Sequence, residues 1–447
     1  MSVFSRSKAS GLVVVGIDGV PRSLLQTLID QGVMPATKAL LGAREVIELQ
    51  SVYPTVSSAA WTSFMTGLYP PRHGIMGFVN KAASGYDIVF PRRDHIRAPL
   101  IQDIVSNAGG RVFSMGVPVT FPPMELRGVV ISCFLAPGLD KGVWPPGELS
   151  TLRSLGYVMD PDPSVAHQDR SRFMQMIHHG LERRIATAQH YFQQSPWDLF
   201  LVHVMETDRL HHFYWRDYED PHAQFHEDFF RFYRSLDSLF EWLGNELGDS
   251  SRLVVLSDHG FCRLDWEVNV GKWMVEQELT ALRSATPGPP LANVEWSQTT
   301  LYSMIPGRVW VNQAGREPEG IVSPTEAKDV LGRLRDAVLA WRDPNGEPVI
   351  AQVLIGQEIP GYCGGNGVPD ALLISRPGLD LKDGVLRPDV FERKVLNGMH
   401  TYDDALLFFG PDLIRASHTP WIGDLAPTLL QVLGHRIPQG LDGRVLV

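Results

Sequence analysis

Cysteine is scarce in this 447-residue chain: Cys133, Cys262 and Cys363 are its three, far apart and with no CxxC pair. That argues against a disulfide framework and against a thiolate zinc site. The three read as buried thiols in a reducing compartment. Long apolar runs are missing as well. No stretch approaches the roughly 18–20 apolar residues that a membrane-spanning helix needs. The apolar run after MSVFSRSKAS is too short for a signal peptide and leads straight into Gly16 and Asp18. The cytoplasm is the expected compartment, with no membrane partner. Excess positive charge is absent too: the net charge is -10. Such a protein has no general attraction for nucleic acid or an anionic membrane, so the expected partner is a small molecule held in a local pocket. Internal repeats and low-complexity segments are lacking.

What is present is an ordinary globular composition, 44% hydrophobic and 20% charged. The length exceeds a single core, which stops growing at about 250–300 residues. Leu12 to Ile17 is a continuous apolar run of the kind buried on both faces of a parallel sheet. A helix through Leu24, Leu25 and Leu28 follows. Trp197 to Val204 and Leu253 to Leu256 repeat the strand pattern, and Phe225 to Leu247 between them has helical spacing, with Phe229, Phe230, Phe232 and Tyr233 as helix core. The alternation predicts an α/β fold with a mostly parallel central sheet flanked by helices. Residues 266–390 differ, with Pro287-Gly288-Pro289-Pro290, a strand around Val309-Trp310-Val311-Asn312, the loop Gly315 to Gly320 and a helix from Pro324 to Trp341. They are expected to form an inserted cap that sets substrate choice, between core segments 1–265 and 391–447. The core resumes near His400, with a strand at Ala405 to Phe409 and a capped amphipathic helix from Asp424 to Leu433.

The chemistry lies at strand ends, where open α/β sheets bind their ligands. Asp18 and Asp258 each close an apolar run, and Asp208 lies just past a third. His259 follows Asp258 directly. His212 stands four residues after Asp208, on the same face if a helix begins there. His400 precedes a later strand. Oxygen and imidazole ligands of this kind suit zinc or manganese at a hydrolytic site, and Asp18, Asp208, His212, Asp258, His259 and His400 would serve two ions. Three carboxylates and an alkoxide would offset two divalent cations. The nucleophile expected is Ser57, at the start of a helix closed by Gly67, where free N–H groups and the helix dipole favour negative charge. A serine there is more often a plain N-cap; its surroundings give the catalytic reading its weight. Nine of the 15 histidines lie between His167 and His226, and all but His212 read as surface or packing residues.

The stretch Pro54-Thr55-Val56-Ser57, with Thr66-Gly67-Leu68-Tyr69-Pro70 and His73-Gly74-Ile75, resembles the nucleophile segment of the type I phosphodiesterase/nucleotide pyrophosphatase proteins of the alkaline phosphatase superfamily. Asp18-Gly19, Asp208 with His212, Asp258-His259-Gly260, Gly398-Met399-His400 and the tail from Asp424 to Arg444 extend the likeness along the chain. Ala60 to Gly67 and the loop Gly315 to Gly320 are similar to a bacterial branch of predicted phosphohydrolases or phosphomutases. The resemblance implies one metal on Asp208, His212 and His400, and another on Asp18, Asp258 and His259, bridged by Ser57. Zinc is the ion expected, with manganese the alternative. It implies hydrolysis of a phosphodiester or pyrophosphate, or of a phosphomonoester, through a phosphoseryl intermediate; a phosphomutase or a catalytically inactive metal-binding protein are the alternatives. Two positions depart from the pattern. Ser57 stands where threonine is usual, and Ala60 where an asparagine contacts a phosphate oxygen. Arg209, Asn312 and Arg316 are the donors expected instead. A sulfatase is disfavoured, because Ser57-Ser58-Ala59-Ala60-Trp61 lacks the proline and arginine of that branch.

Overall fold

The computed structural model describes residues 11–447 apart from 43, 195, 250, 285–290, 366 and 411–417, so the predicted Pro287–Pro290 loop lies outside the described residues. The chain divides into two compact units. The first runs through Tyr69 and adds Arg92–Phe261 and His400–Val447. Its centre is an eight-stranded sheet of Leu12–Ile17 (β1), Ile47–Leu49 (β2), Val112–Met115 (β3), Gly128–Ile131 (β4), Val143–Trp144 (β5), Leu199–Val204 (β6), Leu253–Leu256 (β7) and Ala405–Phe409 (β8). The spatial order is β2-β8-β7-β1-β6-β3-β4-β5. The five strands β7, β1, β6, β3 and β4 run parallel. On one side β8 pairs antiparallel with β7 and the edge strand β2 antiparallel with β8; on the other, the edge strand β5 pairs antiparallel with β4. The predicted mostly parallel sheet is therefore what forms, and every residue of β1, β6 and β7 is buried, which is why these strands read as unbroken apolar runs.

Register decides where the site falls. Ile17 aligns with Val204 and Gly16 with Leu256, so three neighbouring strands end together. Asp18 follows β1, Asp258 follows β7 by two residues, and β6 leads into the helix Glu206–Glu219. Among the helices used below, Arg22–Asp30 is α1, Ser57–Thr66 is α2, Arg170–Gln194 is α3, Glu206–Glu219 is α4, His226–Leu247 is α5 and Leu425–Val432 is α6. All ten residues of α2 are buried, and Gly67 ends it in the left-handed conformation (φ 72°), its N–H bonded to Ser63 O at 2.8 Å. On α5, Phe229, Phe232, Tyr233, Leu236, Leu239, Phe240 and Leu243 form the buried stripe expected of helical spacing, with Phe230 only half-buried.

The second unit combines Pro70–Pro91 with Cys262–Met399. Leu301–Ile305, Arg308–Val311, Ala371–Ser375 and Ile350–Ile355 make an antiparallel sheet in that order. The helix Ala327–Ala340 packs Val330, Leu331, Leu334 and Val338 into its core. Among the described residues no helix is long and apolar enough to cross a membrane.

Two expectations need correcting. Cys133 is buried, but Cys262 is half-buried and Cys363 exposed. The amphipathic helix expected from Asp424 to Leu433 forms as Leu425–Val432 with Asp424 at its N-cap position, but without a side-chain cap bond. Leu425 through Leu430 are all buried, and the Asp424 side chain instead accepts from Trp421 N–H, Arg444 N–H and His418 Nε2.

Candidate metal centre

Ser57 is the first helical residue of α2, and Val56 holds the cap position without a side-chain bond. The Ser57 hydroxyl is thus free of capping its own helix. It lies 3.2 Å from Asp18 Oδ1 and 3.4 Å from His259 Nε2. The nearest alternative hydroxyl, Thr55, donates to Val52 O at 2.9 Å. Asp18, Asp258 and His259 have no exposed side-chain surface, and His259 Nε2 stands 3.5 Å from both Asp18 Oδ1 and Asp258 Oδ2. Asp258 Oδ1 accepts from Gly19 N–H at 3.1 Å. Its other oxygen is buried with no hydrogen-bond partner among the described residues. Burial, then the neighbouring Asp18 charge, pushes the Asp258 carboxyl well up.

A second group adjoins the first. Asp208 and His212 share one face of α4, with His212 Nε2 3.3 Å from Asp208 Oδ1. His400 Nε2 lies 3.2 Å from the same oxygen and 3.0 Å from His212 Nε2. Burial alone would raise the Asp208 carboxyl, but His212 and His400 hold it well below its usual range. The His400 and His259 rings stack, centroids 3.7 Å apart, and so join the two groups.

Hydrogen bonding settles which ring atoms face inward. His259 Nδ1 lies 3.0 Å from Gly260 O and His400 Nδ1 3.2 Å from Thr55 O. A carbonyl only accepts, so each Nδ1 carries a hydrogen and each Nε2 faces the carboxylates; burial would lower the His400 pKa, but its bond to Asp208 raises it. Burial, then His400, lowers the His259 pKa to about 3, which leaves it a lone-pair donor. The His259 lone pair and the carboxylate oxygens it faces, one of them orphaned, repel one another unless a cation lies among them. The residues therefore fit a divalent metal. Asp18, Asp258 and His259 offer ligand atoms within 4.8 Å of one another, as do Asp208, His259 and His400.

The substrate donors anticipated from the sequence have other engagements. Arg209 donates to Asp160 through Nε (3.1 Å) and Nη2 (2.8 Å), and to Asp208 Oδ2 through Nη1 (3.3 Å). Within the second unit Arg316 grips Asp370 at 2.8 and 2.7 Å and also donates to Val311 O and Glu317. Asn312 is fully buried, its amide bonded to three backbone carbonyls and its oxygen accepting from Tyr86. Ala60 is fully buried on α2.

Three further residues contact Asp18. His203 and Trp61 contact its Oδ2, and Thr207 Oγ1 donates to its carbonyl at 2.6 Å. Of the surface and packing roles expected for the clustered histidines, His211 takes packing, buried between Gly19 O (2.9 Å) and Tyr233 Oη (2.6 Å). For His203 the available signal was a histidine inside an otherwise apolar strand, which has to find a polar partner.

A family model for type I phosphodiesterase / nucleotide pyrophosphatase matches residues 12–403. No curated protein matches the chain. Phosphonoacetate hydrolase from Sinorhizobium meliloti 1021, solved with phosphonoformate, superposes with a TM-score of 0.62 at 16% identity over 97% of this chain and 98% of that one. An inactive murine ectonucleotide pyrophosphatase / phosphodiesterase 5 in complex with AMP gives 0.57 at 15% identity, over 97% of each chain. At these identities the likeness to solved structures is one of fold.

Proposed function

The chain belongs to the type I phosphodiesterase / nucleotide pyrophosphatase family and is a phosphoric ester hydrolase of that kind, and from that premise we propose that it works through Ser57 beside two divalent ions, zinc first and manganese second. Asp208, His212 and His400 would hold one ion; Asp18, Asp258 and His259 would hold the other. When bound, such ions polarise the phosphoryl oxygens and stabilise the attacking and leaving oxygens. The observation that carries the reading is the Ser57 hydroxyl, uncapped and within 3.2–3.4 Å of Asp18 and His259.

The chain's own groups account for the rest. Ser57 Oγ is held where Asp18 Oδ1 and His259 Nε2 can accept its hydrogen bond. The start of α2 adds the positive end of a helix dipole to a site that must accumulate negative charge. Attack forms the Ser57 Oγ–P bond and breaks the bond from phosphorus to the leaving oxygen, which departs with a proton. Water then cleaves the phosphoseryl bond and restores the hydroxyl. The small phosphate ester acted on is open between mono- and diesters, and a useful panel includes both together with phosphonoacetate. Acid-quenched turnover followed by peptide mass analysis should place phosphate on Ser57. A burst of product with no phosphorylated Ser57, or undiminished turnover by Ser57→Ala, would overturn the proposal.

A further inference from the structure

Strand β6 reads Leu-Phe-Leu-Val-His-Val and is buried along its length. Its one polar residue, His203, has no solvent-exposed surface. Buried polar side chains of this kind are almost always paired. His203 Nδ1 lies 2.9 Å from Gly116 O, just past β3. The carbonyl on one side and the Asp18 carboxylate on the other can only accept, so both ring nitrogens carry a hydrogen and the ring's orientation is fixed. Its Nε2 then sits 2.7 Å from Asp18 Oδ2. The same oxygen receives the Trp61 indole N–H at 3.0 Å, and the Trp61 and His203 rings meet edge to face, 4.7 Å apart.

This arrangement is built into the backbone. Gly16 aligns with His203 across β1 and β6. A Cβ at Gly16 would lie 2.2 Å from the Trp61 ring, so only glycine lets the indole reach Asp18. A Cβ at Gly116, whose φ is +79°, would meet Arg184 at 2.8 Å and His203 O at 3.1 Å. Gly16 on β1 thus makes room for the Trp61 ring beside Asp18, and Gly116, just past β3, for the backbone of His203. The other oxygen, Oδ1, is the one facing Ser57 Oγ and His259 Nε2.

We propose that His203, with Trp61, is a positioning residue: it holds Asp18 by Oδ2 so that Oδ1 alone is presented to the cation that Asp258 and His259 would share. The inference rests on the two-ion reading above. A free carboxylate rotates and can chelate through both oxygens; one whose Oδ2 is held by two N–H groups presents a single oxygen in a fixed direction. His203 is not itself a ligand, because its inward nitrogen is engaged with Asp18.

The test is titration of metal-stripped full-length protein with Zn²⁺ alone, by calorimetry, for the native chain and two near-isosteric variants. In His203→Gln the amide nitrogen replaces Nε2 and keeps the bond to Asp18. In His203→Asn it replaces Nδ1 and keeps only the bond to Gly116. The native chain should bind two ions. His203→Gln should bind both within about threefold of native, while His203→Asn should bind one of the two about 10–100-fold more weakly and the other unchanged, the usual scale for loss of a group that orients a ligand. If both variants bind both ions as the native chain does, or both weaken to the same extent, His203 is a packing residue and the inference fails. If the native chain binds no Zn²⁺, the two-ion reading itself falls and takes this inference with it.

Discussion

The two halves of the candidate metal centre share a plan but differ in access to water. The side chains of Asp18, Asp258 and His259 have no exposure at all, whereas Asp208, His212 and His400 are 6%, 14% and 9% exposed. In both halves a histidine is turned inward by a backbone carbonyl on Nδ1. The difference teaches what each half requires. A sealed carboxylate with an orphaned oxygen has no water to fall back on, so its charge must be matched by a cation or a proton. A half-open group can be satisfied by solvent when no ion is bound. The sealed half is therefore expected to hold its ion longer and to carry the nucleophile's activation, and the open half to exchange.

The strongest way to break this contrast is to remove the nucleophile or empty its half. Ser57→Ala should lower kcat by a factor on the order of 10⁴ or more while leaving both ions bound. Asp258→Asn should cost roughly a thousandfold in kcat and one bound ion. Elemental analysis alongside steady-state rates checks both; an Asp258→Asn protein that keeps two ions and full turnover contradicts the sealed half's role.

A chelator challenge addresses the open half. Brief dialysis against EDTA should leave about one ion per chain, and the metal-to-protein ratio against time should show two phases. His400→Ala should abolish the fast phase. Simultaneous loss of both ions would show that exposure does not govern exchange.

Asp160→Asn probes the support of the open half, since Asp160 holds Arg209 against Asp208. Affinity for one ion should fall about tenfold, the lower end of what such orienting contacts contribute. Competition with a metal-sensitive dye measures it.

Gly16→Ala should have the smallest effect on metal content and a visible one on stability. The added methyl must displace the Trp61 ring, at about 1–3 kcal/mol of overpacking. The denaturant midpoint should fall, with the Asp18 half weakened only as far as the indole bond is lost.

Much of this architecture was legible in the chain because it depends on local pattern. β1, β6 and β7 announce themselves as apolar runs, and Asp18 and Asp258 interrupt those runs where a strand ends. Asp208 and His212 share a helix, so their spacing sufficed. What stayed hidden depends on distant partners. His203 looked like one histidine among many until its partner 185 residues away was in view. Arg316 and Asn312 looked available because the sequence does not show Asp370 or Tyr86 beside them. The membership of Pro70–Pro91 in the second unit is likewise a matter of tertiary contact.

The parallel alignment of β7, β1 and β6 also has a temporal consequence. Gly19 N–H meets Asp258 across 239 residues, His400 meets Asp208 across 192 and Thr55 across 345. No hairpin or adjacent pair of elements can assemble even half of this centre. Such non-local pairings form late, because loop-closure entropy must be overcome before the contacts that repay it exist. β1 is the strand that both neighbours need, yet it emerges first from synthesis and waits for β6 and then β7. A chain stopped before Leu253 would leave one side of β1 unpaired, an open edge ready to recruit another strand. Assembly of the candidate centre therefore waits until His400 has been made.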